Sequence, residues 1–539
     1  MTNPLQSTSN NHNFAHIPTA EIPRSSFNRN HSYKTTFNAG DLIPFFADEA
    51  LPGDTFNLKC NGFARLATPI FPIMDHIHAE TFFFAVPMRL LWENWEKFMG
   101  ERKNPTDSID YLCPQITTTI GFEENSIYDY LGLPTLIPNI SINSFHLRAY
   151  NLIYNEWFRD QNLQDSIIEH YDDGVTESEY DYVIKKRGKR HDYFTSCLPW
   201  PQKGDSINLP LGQRAPITGL SVSNGSYIQS VGGTGEGWET DKPGIKTNYQ
   251  YFKSIGDNDG NVNNRVLIKG PDNGTAGLPE VYADLTQATA STVNELRQAF
   301  QLQKMLERDA RGGTRYTEMI LSHFGVTSPD SRMQRPEYLG GGSTNVQITP
   351  LPNLNGDSFS RPQGDNAAMG TLSFTGHGFE KSFTEHCVIL GFISARADMT
   401  YQNGINKMWS RQIRYDYYFP TLAHIGEQAV LSQEIFTDGT SDDELVFGYQ
   451  ERYAEYRYKP SIVTSLMRSQ SIQSLDAWHL AQDFLTRPFL SSSFIEENPP
   501  IDRVIAVPGQ PHFILDTFFE LTCARPMPVH SIPGMIDHF

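Results

Sequence analysis

The sequence is short of positive charge, of paired cysteines and of long apolar runs, and each shortage excludes a class of protein. It has 43 Lys and Arg residues against 62 Asp and Glu residues, a formal net charge of -19 at pH 7. Such a chain cannot coat nucleic acid by bulk charge, because the neutralisation of phosphates requires clustered cations. Any contact with nucleic acid must therefore be local.

The five cysteines are odd in number, lie far apart and form no CxxC pair. This pattern argues against a disulfide framework and a thiolate zinc site, and it favours buried reduced thiols. No run of about 18 apolar residues could span a bilayer. The polar start MTNPLQSTSNNHN also lacks the charged-then-apolar design of a signal peptide. We expect a chain that is made and kept in the cytosol, without membrane insertion.

Motifs for catalysis and ligand binding are missing as well. HExxH, GxSxG and GxxxxGK(S/T) do not occur, which excludes the commoner metalloprotease, hydrolase and nucleotide-phosphate devices. The glycines of GGTGEG, 232–237, have no predicted strand before them or helix after them, so a phosphate cradle is not expected. The calcium-like loop from Asp257 has Val262 and Ile268 where an EF-hand needs Gly and Glu.

One acidic loop could offer hard oxygen ligands, but a solvated loop is favoured over a cation site there. Its sequence is TDGTSDDE, and the carboxylates are those of Asp438, Asp442, Asp443 and Glu444. We predict no catalytic residue, no metal and no cofactor.

The length of 539 residues far exceeds a domain of roughly 100 to 200 residues, so the chain is either several domains or one domain enlarged by insertions. We expect the second, because 40 Gly and 34 Pro predict many turns and long loops. Residues 1–40 have too few apolar positions to fold alone. The prediction is an extended N-terminal arm over 1–45 and a single domain over 46–539.

Strand patterns occur towards both ends of the chain. FNLKCNGFARL places alternate apolar residues on one face, namely Phe56, Leu58, Cys60, Ala64 and Leu66. HCVILGFISARADMTY is apolar on both faces, and HFILDTFFELTCAR has one apolar face made by Phe513, Leu515, Phe519, Leu521 and Cys523. These patterns predict a mainly-β fold, an eight-stranded antiparallel jelly-roll sandwich with large loop insertions and a few short helices.

The stretch HAETFFFAVPMRLLWENWEKF, 78–98, is unusually aromatic. Its first half predicts a buried strand that ends at Pro87, and the helical spacing from Leu91 to Met99 predicts a short amphipathic helix closed by Gly100. Core packing is favoured for its large rings, with contact between subunits as the alternative. The residues concerned are Phe84, Trp92, Trp95 and Phe98.

The middle of the chain changes character. Residues 203–280 hold 14 of the 40 glycines and eight Asn with little period, which predicts a structureless insertion at the surface. A capping box at Thr292 and Glu295 then predicts a helix that ends near Gly312, and a second helix is expected from Tyr316 to Phe324. A Pro- and Gly-rich crossing loop is predicted over 326–371.

Two basic stretches could touch phosphate. KKRGKR, 185–190, is more typical of a solvated loop. In NKMWSRQIRYDYYF charges alternate with flat rings, the combination that binds single strands by neutralisation and stacking, although core packing of those rings is an equal alternative. The predicted nucleic-acid contacts are Lys407, Trp409, Arg411 and Arg414 here, and Arg24, Arg29 and Lys34 in the arm.

Seven stretches in order from residue 78 to Phe539 resemble the major capsid protein of gokushoviruses, a branch of the Microviridae. They are HAETFFFAVPMRLLWENWEKF, RGGTRYTEMILSHFGVTSPDSRMQRPEYLGGGS, NKMWSRQIRYDYYFPTLAHIGEQAV, FGYQERYAEYRYKPS, LDAWHLAQDF, NPPIDRVIAV and CARPMPVHSIPGMIDHF. Residues 203–280 match no pattern, as expected for a family whose insertion at this place is its most variable part.

The resemblance implies a single jelly roll that assembles, about sixty copies at a time, into a T=1 icosahedral shell. It also implies a circular single-stranded DNA genome, a small basic internal DNA-binding protein, a minor pilot protein and a bacterial host receptor. The variable insertion would protrude at threefold axes and attach to the host. The expected location is the virion, and the host bacterial cytoplasm during assembly.

A carbohydrate-active β-sandwich enzyme or lectin is the alternative function. Such a protein would equally use aromatic platforms, paired carboxylates and long loops. The motif matches favour the capsid subunit.

Overall fold

The structure is a computed structural model that describes residues 23–201, 293–313, 315–326, 334–352 and 366–530 and, between 214 and 284, the strands named below. The chain divides into two compact units. One consists of Met1–Pro201 with Gly313–Phe539, and the other of Gln202–Gly312.

In the first unit, ten strands form two antiparallel sheets. In chain order they are β1 (Ser25–Asn28), β2 (His31–Phe37), β3 (Ile43–Ala50), β4 (Thr55–Leu66), β5 (Ile77–Pro87), β6 (Glu337–Asn345), β7 (Gln347–Pro352), β8 (Asn366–Ser382), β9 (Cys387–Ala397) and β10 (Phe513–Arg525). The first sheet has the order β1-β10-β4-β8-β7, with β2 also paired to β10. The second has the order β6-β5-β9-β3.

Successive strands cross from one sheet to the other. Strands β2, β4, β8 and β10 lie in the first sheet, while β3, β5 and β9, which alternate with them along the chain, lie in the second. The predicted mainly-β sandwich is therefore confirmed. Crossing of this kind is expected when Greek keys fold over one another. The two sheets hold ten strands, and the eight-stranded jelly roll stays a prediction.

The interior between the sheets is apolar because β4 and β10 alternate strictly between buried and exposed residues over most of their length. Rings from opposite sheets meet there: the centroids of Phe45 on β3 and Phe519 on β10 lie 5.4 Å apart. The apolar faces predicted for these strands are confirmed, since their residues are all at most 1% exposed. They are Phe56, Leu58, Cys60, Ala64 and Leu66 on β4, and Phe513, Leu515, Phe519, Leu521 and Cys523 on β10.

Strand β9 is buried along its whole length because both of its faces are covered. Ile389 and Ile393 point into the sandwich core. Val388, Leu390 and Phe392 belong to a second core, outside the sandwich. This explains why its sequence is a continuous apolar run rather than an alternation.

The second core lies under a layer of short helices. They are α1 (Trp95–Phe98), α2 (Ile127–Tyr130) and α3 (Phe145–Ile153), which continues as a π-helical turn over Tyr154–Phe158. Strands Gln115–Thr117 and Ser141–Asn143 pair beside them. Tyr150 of α3 contacts Phe392 of β9 at 5.6 Å between ring centroids, so the layer packs directly on the second sheet.

The helix predicted from Leu91 to Met99 is shorter in the structure. A 3-10 turn covers Met88–Leu90, and only Trp95–Phe98 is α-helical. The side chains of Trp92 and Asn94 both donate to Asp173 Oδ1, at 2.8 and 2.9 Å. These tertiary bonds hold the intervening backbone out of the helix that the spacing alone predicts.

The prediction of an extended arm over 1–45 is wrong for its second half, which contains strands. Residues 1–22 lie outside the described residues, but β1, β2 and the start of β3 belong to the two sheets, and Phe37 is 1% exposed in the sandwich core. Composition does not predict β1 and β2 because backbone pairing to β10 stabilises them, and even a polar strand can pair in this way.

The crossing loop predicted over 326–371 is wrong, since β6, β7 and the start of β8 lie within it. The sequence of β6, EYLGGGSTN, has no strand pattern because three consecutive glycines interrupt it. A Cβ at Gly341 would lie 2.0 Å from the Thr81 carbonyl oxygen, and one at Gly342 would lie 2.4 Å from the His377 ring. These glycines therefore permit close sheet packing rather than mark a loop.

The rest of the first unit is loop-rich. Short strands pair Thr400–Tyr401 with Ser461–Ile462 and Glu427–Leu431 with Val446–Glu451. Helices α5 (Tyr316–Phe324) and α6 (Ser492–Ile495) also lie here. Helix α5 ends, as predicted, at Gly325, whose φ of 68° is the left-handed conformation that glycine adopts most easily.

In the second unit, the predicted helix ending near Gly312 is confirmed as α4 (Val293–Gly312). The stretch predicted to be structureless contains strands. Arg214–Pro216 pairs with Tyr282–Asp284, Ser221–Val222 with Ser226–Tyr227, and Ser230–Trp238 with Lys246–Phe252, which also pairs with Val266–Leu267. Glycines within Ser230–Trp238 hid the strand period. The EF-hand-like loop from Asp257 lies largely outside the described residues.

Candidate nucleic-acid interface

Residues 407–418, which we call the ring segment, present four large rings to solvent. Trp409 is 76% exposed, and Tyr415, Tyr417 and Tyr418 are each more than half exposed. Core packing, the alternative for these rings, is therefore wrong. The exposed flat surface is of the kind on which bases stack.

Local hydrogen bonds give the ring segment its shape. Asn406 caps the 3-10 turn Lys407–Trp409 by accepting from the Met408 amide at 3.0 Å. The Asp416 carboxylate accepts from the amides of Ile413 and Gln412 at 2.9 and 2.8 Å, which lowers the pKa of Asp416. The segment is thus a pair of capped turns rather than a regular helix or strand.

Two of the three predicted cations of this segment are already engaged. Arg411 lies 3.3 Å from Glu455 and over the ring of Tyr456, 4.3 Å from its centroid. Lys407 Nζ lies 3.3 Å from Glu434 Oε1 and donates to the Ala429 carbonyl at 3.0 Å. These contacts of Lys407 and Arg411 hold the ring segment in place, and the two charges are not free to bind phosphate.

Arg414 is different because it is exposed and lies over Phe419, 5.1 Å from the ring centroid. Within the described ranges it has no ion-pair partner. Of the predicted contacts in this segment, Arg414 and Trp409 are therefore the two that remain free to meet a ligand.

A cavity of about 280 Å³ opens beside the ring segment, between residues 193–194, 401–409 and 455–468. The two carboxylates that line it, Glu434 and Glu455, are each paired with a cation. Glu434 accepts from the Tyr193 hydroxyl at 2.9 Å as well as pairing with Lys407, and Glu455 accepts from Gln428 Nε2 at 2.6 Å as well as pairing with Arg411. Burial and the Glu434 charge raise the pKa of Tyr193, so its hydroxyl stays protonated.

The predicted contacts in the arm lie on or next to the edge strands of the first sheet. Arg24 donates to the Thr55 hydroxyl, Arg29 pairs with Asp48, and Lys34 pairs with Asp516 at 2.8 Å. All three are exposed. The two ion pairs reduce the charge that Arg29 and Lys34 could offer to phosphate.

The basic stretch KKRGKR is neither a phosphate site nor a solvated loop. Arg187 and Arg190, together with Arg396 of β9, bind the Glu80 carboxylate. Lys189 is 8% exposed and lies over Phe494, 4.6 Å from the ring centroid. Glu80 was the overlooked signal, since a carboxylate inside a buried strand needs a cation beside it.

The three arginines keep the Glu80 carboxylate ionised. Burial alone would raise the pKa of Glu80, but the three guanidinium groups lower it below the ordinary value. This cluster ties the loop at 187–190 to strands β5 and β9, and its role is structural.

The acidic loop holds an arginine. Arg487 lies 2.8 Å from Asp438 and 3.0 Å from Asp443. Bonds from Thr440, with Arg487 close by, lower the pKa of Asp438 to about 2. Among the residues that the structure describes, no group of three or more His, Cys, Asp or Glu side chains is placed to hold a metal ion.

The four aromatic residues singled out in 78–98 lie in or against the second core. Phe84 is 1% exposed and Trp92 is fully buried. Trp95 and Phe98 are half-buried against this core, and Phe98 packs against both Trp92 and Trp95. All five cysteines are free thiols, and all but Cys113 are buried, as the sequence predicts.

Comparison with known proteins shows similarity along nearly the whole chain. A family model described as "Capsid protein (F protein)" matches residues 15–535. The capsid protein VP1 of Bdellovibrio phage phiMH2K is 47% identical and aligns with 99% of this chain and 100% of its own length. Those of Chlamydia phage 1 and Spiroplasma virus 4 are 43% and 36% identical, and each alignment covers 97% of both chains.

Proposed function

Because this chain belongs to the Capsid protein (F protein) family, we propose that about sixty copies of it assemble into a T=1 icosahedral shell around a circular single-stranded DNA genome. The observation that carries the proposal is the family match over 15–535 together with full-length similarity to proteins named capsid protein VP1. The resemblance to gokushovirus capsid proteins is confirmed by these matches. A capsid subunit is favoured over the carbohydrate-active alternative, and the proposed role is structural rather than enzymatic.

Exposed apolar side chains support assembly into a larger particle. Leu112, Leu485 and Ile472 are 88% exposed or more, and Tyr316 and Phe324 of α5 are 75% and 76% exposed. Burial of such apolar groups against another copy would be favourable. Contact with neighbouring copies would cover them.

The ring segment is the proposed contact with single-stranded DNA. Trp409 and the three exposed tyrosines would stack on bases, and Arg414 would meet a phosphate. Arg24, Arg29 and Lys34 would contribute less, since two of them are ion-paired. Lys407 and Arg411 would hold the rings in place.

Three further partners are proposed from the resemblance. The net charge of -19 is unfavourable beside DNA, which supports a small basic internal DNA-binding protein. A minor pilot protein and a host cell-surface receptor complete the set, the receptor being reached through a protruding insertion at about 203–280. The chain would reside in the virion, after assembly in the host bacterial cytoplasm. None of the helices in the described part of the chain is long and apolar enough to cross a membrane.

Electron microscopy of the purified chain, followed by nuclease digestion of the particles, tests the proposal. We expect uniform spherical particles that protect single-stranded DNA from nuclease. A chain that stays small and hydrolyses glycans would support the enzyme instead.

A further inference from the structure

The cavity beside the ring segment has the size for one small ring system. Its volume of about 280 Å³ lies just below the range for drug-sized ligand sites, roughly 300 to 1,000 Å³. A single planar group fits this space, whereas a polymer chain could only pass across its mouth.

Aromatic rings form two sides of the cavity. Trp409 lines the cavity and is 76% exposed. Tyr193 and Tyr458 lie on the wall, with ring centroids 6.2 Å apart. A flat ligand could therefore stack on Trp409 and lie against the two tyrosines.

The interior polar groups suit a neutral ligand. The carboxylates of Glu434 and Glu455 are only 2% and 5% exposed, and each is paired with a cation. A free phosphate or carboxylate would meet these two acids, and a free cation would compete with Lys407 and Arg411. A neutral heterocycle avoids both conflicts.

The rim carries uncommitted positive charge. Lys459 and Arg468 both line the cavity and are exposed. Neither has an ion-pair partner among the residues that the structure describes. They lie where the backbone phosphates of a strand would run if one of its bases entered the cavity.

We propose that this cavity binds one nucleobase of single-stranded DNA, stacked on Trp409, while Lys459 and Arg468 contact the flanking phosphates. The proposal rests on the proposed function and names the pocket by which the shell protein holds its genome. A neutral sugar ring would also fit an aromatic cavity, but it would make no use of the two rim cations.

The test is fluorescence anisotropy of a labelled twelve-nucleotide dT strand and of an abasic strand of the same length, titrated with the full-length chain. Both strands carry the same phosphates. The base-containing strand should bind at least about tenfold more tightly, since stacking of the one base in the cavity already supplies that factor. W409A and Y458A should each reduce this difference by the factor that stacking in the cavity supplies, and leave binding of the abasic strand unchanged.

The rim has its own readout. The double variant K459Q/R468Q should weaken both strands and reduce the slope of log K against log salt by about 1.4, because each cation on a single strand contributes about 0.7. Matched controls are Y180A and K103Q, which remove an exposed ring and an exposed cation elsewhere, and both should bind like the parent chain.

Equal affinity for the two strands would overturn the proposal. So would an effect of W409A without one of Y458A, because the base would then stack outside the cavity. Quenching of Trp409 fluorescence by a free monosaccharide, without any preference for the base-containing strand, would make this a sugar site. If nuclease-protected DNA is present in particles while the preference is absent, the shell function stands and only the pocket fails.

Discussion

Replacing Glu80 by Gln should destabilise the folded chain more than the same substitution at an exposed glutamate does. The Glu80 side chain is 12% exposed, and its partners Arg187 and Arg396 are 13% and 11% exposed. Removing one partner of a buried ion pair typically costs 3 to 5 kcal/mol, because the remaining charge is left buried without compensation. Arg190 is 37% exposed and adds little after screening. We therefore expect a loss of about 3 kcal/mol at pH 7.

The loss should depend on pH in one direction. Because the pKa of Glu80 is lowered in the folded chain, its stabilisation is complete above the unfolded pKa of about 4.3 and disappears as the pH falls through the folded value. Parent and E80Q chains should thus converge in acid. Urea unfolding, followed by tryptophan fluorescence at several pH values, measures both effects.

The matched control is E101Q, since Glu101 is exposed and the structure describes no ion pair for its side chain. That variant should unfold like the parent. A loss below about 1 kcal/mol for E80Q would place its three arginines among ordinary surface pairs and refute the reasoning. A loss that persists unchanged at low pH would refute it equally.

Further predictions concern packing, the ring segment, the insertion and the arm. G341V should yield insoluble chain, because a Cβ there would lie 2.0 Å from the Thr81 carbonyl oxygen; recovery of soluble, folded chain would contradict this. R414Q should lower the DNA content of particles without changing thermal stability, whereas R411Q should lower the melting temperature, because Arg411 braces Glu455 and Tyr456; equal melting temperatures would count against that division of roles. Replacing 222–278 with a short Gly-Ser linker should leave particles that form but no longer adsorb to host cells, as electron microscopy and an adsorption assay would show; failed assembly would place the insertion in the shell itself. Deleting 1–22 should keep the melting temperature of the sandwich but reduce the yield of filled particles, and an unchanged yield would leave the arm without a role.

Local pattern predicted much of the sandwich because burial leaves a period of two in a half-buried strand and a continuous apolar run in a fully buried one. These patterns predict strands β4, β5, β9 and β10, and the structure contains all four. The free thiols and the glycine that ends α5 also followed from residue type and spacing.

Long-range contact decided the rest, because a residue's partner across a sheet or loop leaves no mark in the neighbouring sequence. Strand β6 has the sequence of a glycine-rich loop, and only its close packing against β5 and β8 shows why glycine is needed there. Strands β1 and β2 have the sequence of a polar arm, and they are strands because they pair with the backbone of β10. The candidate site divides in the same way. Spacing within 407–418 predicted the association of charge and rings, since those residues are sequence neighbours. Only the folded chain brings Glu434 and Glu455 to Lys407 and Arg411. The two cations, which the sequence predicts as phosphate contacts, therefore form ion pairs within the protein. It also brings Lys459 and Arg468, which lie 50 and 59 residues further along the chain, to the same cavity as Trp409.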